Sequence, residues 1–265
     1  DLRNFGGQKK ERTAFAQSDT GKQIMTAMID AVRRKEASGM VERFSHHSFL
    51  TLRLCGNICC GCVIRDEYSQ ETVELPGDAV IVATGGMHGL FGNTTGSLSN
   101  TGEVTAELFR LGVPLANGEM IQYHPTTVKC GGKRKLISEA ARGEGGRLFA
   151  MKDGKQWYFM EEKYPELGNL MPRDITAREI WKVSHESEVF LDMTEISEEI
   201  ISNKLSGLAD DCMTYLHKDI RKEPVSVLPG IHYFMGGILV DEQHRTPIQN
   251  LYAAGECCAQ YHGAN

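Results

Sequence analysis

Ala79-Val80-Ile81-Val82-Ala83 runs without a break into Thr84-Gly85-Gly86. An apolar stretch with no polar alternation is the pattern of a strand in a parallel sheet covered on both faces. In an open α/β sheet the carboxyl end of such a strand faces the ligand crevice. Asn100-Thr101-Gly102-Glu103 then starts a helix through Val104, Leu108 and Leu111 that stops at Gly112, and its N-terminus suits a phosphate or ring oxygen. Farther on, Leu251-Tyr252-Ala253-Ala254 ends on Gly255-Glu256, much as the first strand ends on Thr84-Gly85.

Upstream of this strand, Ser18-Asp19-Thr20 supplies an N-cap for a helix with Ile24, Ala27, Met28, Ala31 and Val32 at helical spacing, reaching about Arg34. Phe49 to Cys55, Ile58 to Ile64 and Thr72 to Leu75 read as an antiparallel meander. From about Gln122 the pattern turns to longer helices. Pro172 sits at the start of one, with Ile175, Ile180 and Trp181 expected on its buried side. Apolar strands return with Ile238-Leu239-Val240. The division expected is 1–121, then an insertion over 122–231, then a return to the first domain over 232–265.

With 265 residues, 41% of them hydrophobic, the chain can bury one large core or two smaller ones. A net charge of -6 and no face-sized basic run argue against nucleic acid as a partner, so an anionic ligand must be drawn by local arginines. No apolar run approaches the roughly 20 residues that span a bilayer, and the first residues lack a signal-peptide profile. A cytoplasmic protein without direct membrane insertion, peripheral at most through partner subunits, is expected. The cysteines at 55, 59, 60, 62, 130, 212, 257 and 258 fall in apolar stretches and read as reduced thiols. The run from 55 to 62 lacks the second cluster or histidine that a tetrahedral metal site needs, so no metal is expected.

Four polar clusters set His, Arg or Glu beside Gly or Pro, the combination expected where backbone approaches a ligand and charges are held at fixed angles: Gln122-Tyr123-His124-Pro125, Ser138-Glu139-Ala140-Ala141-Arg142-Gly143-Glu144-Gly145-Gly146, Pro172-Arg173-Asp174, and His232-Tyr233-Phe234-Met235-Gly236-Gly237. Together with Ala83 to Gly86, Asn100 to Glu103 and His262-Gly263-Ala264-Asn265, they resemble, in order, the flavoprotein subunit of fumarate reductase and succinate dehydrogenase. Phe5-Gly6-Gly7 and Glu11-Arg12-Thr13 resemble the segment that precedes them in that family. No Gly-x-Gly-x-x-Gly turn occurs, and the family's later substrate-gripping arginine lies past Asn265, so the chain reads as a middle fragment of a longer protein.

The resemblance implies an α/β fold, α+β in places: part of a glutathione-reductase-like FAD-binding domain with an inserted capping domain and the substrate between them. It implies FAD as cofactor, a dicarboxylate substrate such as fumarate or succinate, and an iron–sulfur electron-transfer subunit as partner. It implies that Arg173 passes the proton, with Glu139 and Arg142 as its relay. Spacing alone allows the last two an ordinary surface pair. His124, His232 and Ser138, where many members carry threonine, would hold substrate carboxylates. The two arginines and the two histidines are expected to converge on one small cavity. Ala83, Thr84, Gly85, Glu103 (aspartate in most members), Gly255 and Glu256 would contact FAD, with His262, Gly263 and Asn265 ranked below them. Rival readings are an L-aspartate oxidase and a non-catalytic fragment that presents a docking surface to the iron–sulfur partner. Met235 between Phe234 and Gly236 favours the reductase group over the oxidase.

Overall fold

The computed structural model describes residues 2–3, 13–16 and 20–259. They form two compact units. One takes in residues 42–122 and 231–259, the other 123–230 together with the described residues before 42. The sequence reading counted those first residues with the other unit. Phe5-Gly6-Gly7, Glu11 and Arg12, Ser18-Asp19 and His262 to Asn265 lie outside the described residues.

In the first unit the meander is His47–Cys55, Ile58–Asp66 and Thr72–Pro76, paired antiparallel in that order. Gly61 is required within it. Its φ is +134°, and a Cβ there would overlap the Leu75 carbonyl. Val80–Val82 then pairs in parallel with Leu251–Ala253, residue 80 opposite 251 and 82 opposite 253. Helix Glu103–Arg110 packs Leu108 against this pair, in a core with Leu52, Val82, Val113, Ile238 and Leu251. Each such side chain, fully buried, contributes about 1.5–3 kcal/mol.

Only one face of Val80–Val82 is covered. Val82 is 5% exposed and Ile81 68%, so the expectation of cover on both faces fails. Among the described residues the strand pairs with Leu251–Ala253 alone, and the core packs on the Val82 side. The strand expected over 238–240 is shorter: Gly237–Ile238 pairs with Leu115–Ala116, and Leu239 is exposed.

At Gly236 a Cβ would overlap the carbonyl oxygen of Asn117. Backbone cannot yield there as a flexible side chain would. Gly236→Ala is therefore expected to cost about 3 kcal/mol, read as a lowered denaturant midpoint with unchanged m-value. A midpoint within error of the parent would contradict this packing.

The second unit was expected to be mainly helical, and it holds an antiparallel sheet that the pattern concealed. Its order is Lys155–Trp157, Arg147–Lys152, Val189–Asp192, Val225–Ser226. Arg147-Leu148-Phe149-Ala150 buries three consecutive residues, which erases the period-2 signal. Phe159–Lys163, Arg173–Val183, Glu198–Lys204 and Ser206–Leu216 supply the helices, with Phe159, Ile180, Leu191, Ile201 and Leu205 in one core. Helix Arg173–Val183 does begin after Pro172, and its buried residues are Thr176, Ala177, Glu179, Ile180 and Val183. Trp181 is 58% exposed, contrary to expectation, and packs edge-on against His185 at 4.4 Å. At 100° per residue it falls off the stripe that 176, 180 and 183 define. Helix Thr20–Ala37 forms as its spacing predicts, but none of its side chains is buried.

Among the described residues no helix is long and apolar enough to cross a membrane, and no group of three or more His, Cys, Asp or Glu could hold a metal ion. All the cysteines are free thiols.

Candidate active site

In the first unit the two parallel strands end side by side. Ala83 and Thr84 follow one and are exposed, and Gly255 follows the other with φ +76°, also exposed. Gly85, at φ +73°, leaves room for the Asn100 side chain, which a Cβ would meet at 2.7 Å. Glu103 is exposed in the first turn of helix Glu103–Arg110, where the helix dipole favours a carboxylate. This is an open backbone edge at strand ends, the place where open α/β sheets take ligands.

Glu256 is held by a network that sequence reasoning missed. Its Oε1 accepts the Phe234 N–H at 2.9 Å and lies 3.0 Å from His88 Nε2. His88, 4% exposed, has its Nδ1 2.7 Å from Thr94 Oγ1, and the Phe234 ring meets it edge-on. Two glycines make this possible: a Cβ at Gly86 would strike Glu256 Oε1 at 2.6 Å, and one at Gly96 would overlap the His88 ring. His88 follows Gly86 by only two positions, but a lone buried histidine carries no spacing signal of its own; only the short Gly-rich run around it hints at a crowded place. His232 Nδ1 lies 2.8 Å from Thr95 Oγ1, and Thr95 is fixed by its N–H bond to the Ile231 carbonyl at 2.9 Å.

In the second unit the predicted Ser138, Glu139, Arg142 and Arg173 come together. Ser138 Oγ caps the short helix Glu139–Gly143 by accepting the Ala140 N–H at 3.2 Å, which leaves its own O–H to donate. One turn on, Arg142 reaches back so that its NH2 lies 3.3 Å from Glu139 Oε1. Arg173 Nε donates to the same oxygen at 2.8 Å from the start of the next long helix. Arg142 NH1 also donates to the Asn169 carbonyl at 2.7 Å. The Asn169 side chain accepts from Leu148 N–H at 3.0 Å and donates to Glu161 at 3.0 Å, and Glu161 is clasped by Arg147 at 2.9 and 2.8 Å. The clasp holds the Glu161 carboxyl below its ordinary range.

Side-chain exposure falls inward along this chain of groups, from 27% at Arg173 to 13% at Glu139 and 3% at Arg142. Burial lowers the Arg142 pKa, Glu139 opposes that shift, and Arg173 adds to it. Its Nε is buried without a hydrogen-bond partner. Two guanidinium groups thus share one carboxylate oxygen, an arrangement that offers a path of hydrogen bonds for a proton. His124, 1% exposed, has its Nδ1 3.1 Å from the Thr126 carbonyl and 3.2 Å from the Thr126 N–H.

A family profile described as an FAD binding domain matches residues 1–265. The succinate dehydrogenase flavoprotein subunit of Bacillus subtilis (strain 168) is 41% identical over 100% of this chain and 47% of its own length. The L-aspartate oxidase of Clostridium perfringens is 32% identical over 98% of this chain and 57% of its own length. Among solved structures, the quinol fumarate reductase of E. coli superposes with a TM-score of 0.88 at 30% identity, covering 100% of this chain and 48% of that one. The chain spans about half the length of the curated relatives it matches.

Proposed function

We propose, for a chain that belongs to the FAD-binding domain family, that it carries the proton-transfer machinery and part of the flavin site of an oxidoreductase interconverting fumarate and succinate. The observation that carries the reading is the Arg173–Glu139–Arg142 chain of hydrogen bonds. FAD, the cofactor of the family, supplies the hydride when bound. The residues present suit it: exposed backbone at Ala83, Thr84 and Gly255, the half-buried Gly85, the carboxylate of Glu103, and Glu256, whose Oε2 has no partner among the described residues. That oxygen would accept a hydrogen bond from a ribityl hydroxyl.

Reducing fumarate needs a proton delivered to one olefinic carbon and positive charge on the carboxylates to polarise the double bond. Arg173 is the proposed donor. A guanidinium with a pKa above 12 resists deprotonation by about 7 kcal/mol at neutral pH, so the step requires immediate return of the proton. Glu139 Oε1 touches both arginines, and the buried Arg142, whose pKa is lowered, is the readier source behind it. His124, Ser138 and His232 are the proposed donors to the substrate carboxylates. An iron–sulfur subunit is the proposed electron partner, and through it a peripheral place on the membrane.

The reading is tested with the full-length protein loaded with FAD. Dye-linked fumarate reduction and succinate oxidation are expected, without oxygen-dependent oxidation of L-aspartate. Aspartate turnover without dicarboxylate turnover would transfer the chain to the oxidase group, and neither activity would leave it a binding module.

Removing the His88 side chain takes away one of the two donors to Glu256 Oε1. His88→Ala is therefore expected to weaken FAD binding about tenfold, the value of one hydrogen bond to a charged group, and His88→Gln to restore most of it. Flavin fluorescence titration of the full-length apoprotein measures this. Equal affinity in all three proteins would remove His88 from the flavin site.

A further inference from the structure

The cysteine run at 55–62 takes no part in the proposed reaction, and the fold sorts its members. Cys55 ends strand His47–Cys55 and Cys60 lies near the start of Ile58–Asp66, across the turn at Gly56, φ +61°. The strands are in register at Cys55 with Ile58 and Leu54 with Cys59, with a bulge between Leu52 and Leu54. In this hairpin the Cys60 thiol approaches Cys55 Sγ to 2.7 Å. That is well inside ordinary contact between unbonded sulfurs and approaches the roughly 2.05 Å of a disulfide bond. Cys55 is exposed and Cys60 half-buried. Their neighbours differ: Cys59 is 1% exposed with its thiol turned to the Gly61 carbonyl at 3.6 Å, and Cys62 is half-buried, with burial pushing its thiol pKa up.

We infer that Cys55 and Cys60 are a redox-responsive dithiol, which a small disulfide oxidant such as oxidised glutathione converts to an intramolecular disulfide closing the hairpin. The inference stands independently of the proposed reaction. Cys55 is the entry point, because it is the more exposed. The contact with Cys55 also raises the Cys60 pKa. The Cys55 thiolate attacks one sulfur of the oxidant, forming a mixed disulfide and expelling one thiolate. Cys60 then loses its proton and attacks the Cys55 sulfur, expelling the second thiolate. Two protein thiols are oxidised, one oxidant disulfide is reduced to two thiols, and the two protons pass to them.

The test is titration of the intact full-length protein with oxidised glutathione, followed by peptide mapping by mass spectrometry. The parent is expected to lose two hydrogens in a cross-linked peptide joining 55 and 60, to hold no lasting glutathione, and to regain two maleimide-reactive thiols after dithiothreitol. Cys60→Ser is expected to trap glutathione on Cys55, whereas Cys62→Ser still closes the 55–60 link. Persistent glutathione on Cys55 of the parent, a link to another cysteine, or maleimide mapped onto both Cys55 and Cys60 after oxidant would each overturn the assignment. The parent protein alone decides among these, so a variant that folds poorly does not blunt the test.

Discussion

Arg173→Ala is expected to lower fumarate turnover by the FAD-loaded full-length protein at least about a thousandfold, because a positioned proton donor typically contributes 10²–10⁴ and no neighbouring acid in its unit occupies the same place. Glu139 cannot step in directly. In the variant its Oε1 stays with Arg142, 3.3 Å away, and does not take the place of the Arg173 guanidinium. The variant should fold nearly as well as the parent, since Arg173 is 27% exposed and Glu139 keeps Arg142 as its partner. Flavin affinity should not change, because the proposed flavin contacts lie in the other unit. The loss is therefore expected in kcat, with stability and FAD binding intact. Turnover within tenfold of the parent would end the proposal that Arg173 donates the proton.

The second large effect is expected at Glu139, and it separates structure from chemistry. Arg142 is 3% exposed at its side chain, and Glu139 is the only carboxylate within ion-pair distance of it among the described residues. Replacing Glu139 by Gln leaves a buried guanidinium with the Asn169 carbonyl and a neutral amide. An uncompensated buried charge typically costs 3–5 kcal/mol, so a loss of about 3 kcal/mol in a denaturant titration is expected, together with a large fall in turnover. Adding Arg142→Met removes the stranded charge and should recover most of the stability, while the relay stays broken and turnover stays low. If the double variant recovered activity with stability, the pair would be a structural ion pair and no relay.

The helix from Thr20, the meander, the parallel strand and the helix ended at Gly112 were legible because each carries a local signature: periodicity, alternation, an unbroken apolar run, a glycine stop. The sheet of the second unit was hidden. Leu148, Phe149 and Ala150 are all buried, so the strand gives no alternation from which to tell it from a helix segment. Trp181 is apolar but lies off the angular stripe that its helix buries, and Ile81 points to the uncovered side of its strand among the described residues, so both are exposed despite their residue type.

At the candidate site, Glu139 and Arg142 could be paired from sequence, being three apart on one turn of helix, and their motif resemblance pointed to Arg173. That one carboxylate oxygen serves both guanidiniums is a fact of packing between two helices 34 positions apart. The same holds for His88 and Glu256, 168 positions apart, and for the two sulfurs drawn together over a hairpin whose bulge shifts the register. By itself the sequence determined the family, the elements with local periodicity and the chemical types at the site, because those depend on neighbours along the chain. Only the tertiary structure decided which charges share an atom, which histidine is buried and which thiols meet, because burial and hydrogen-bond geometry are set by residues that the chain order keeps far apart.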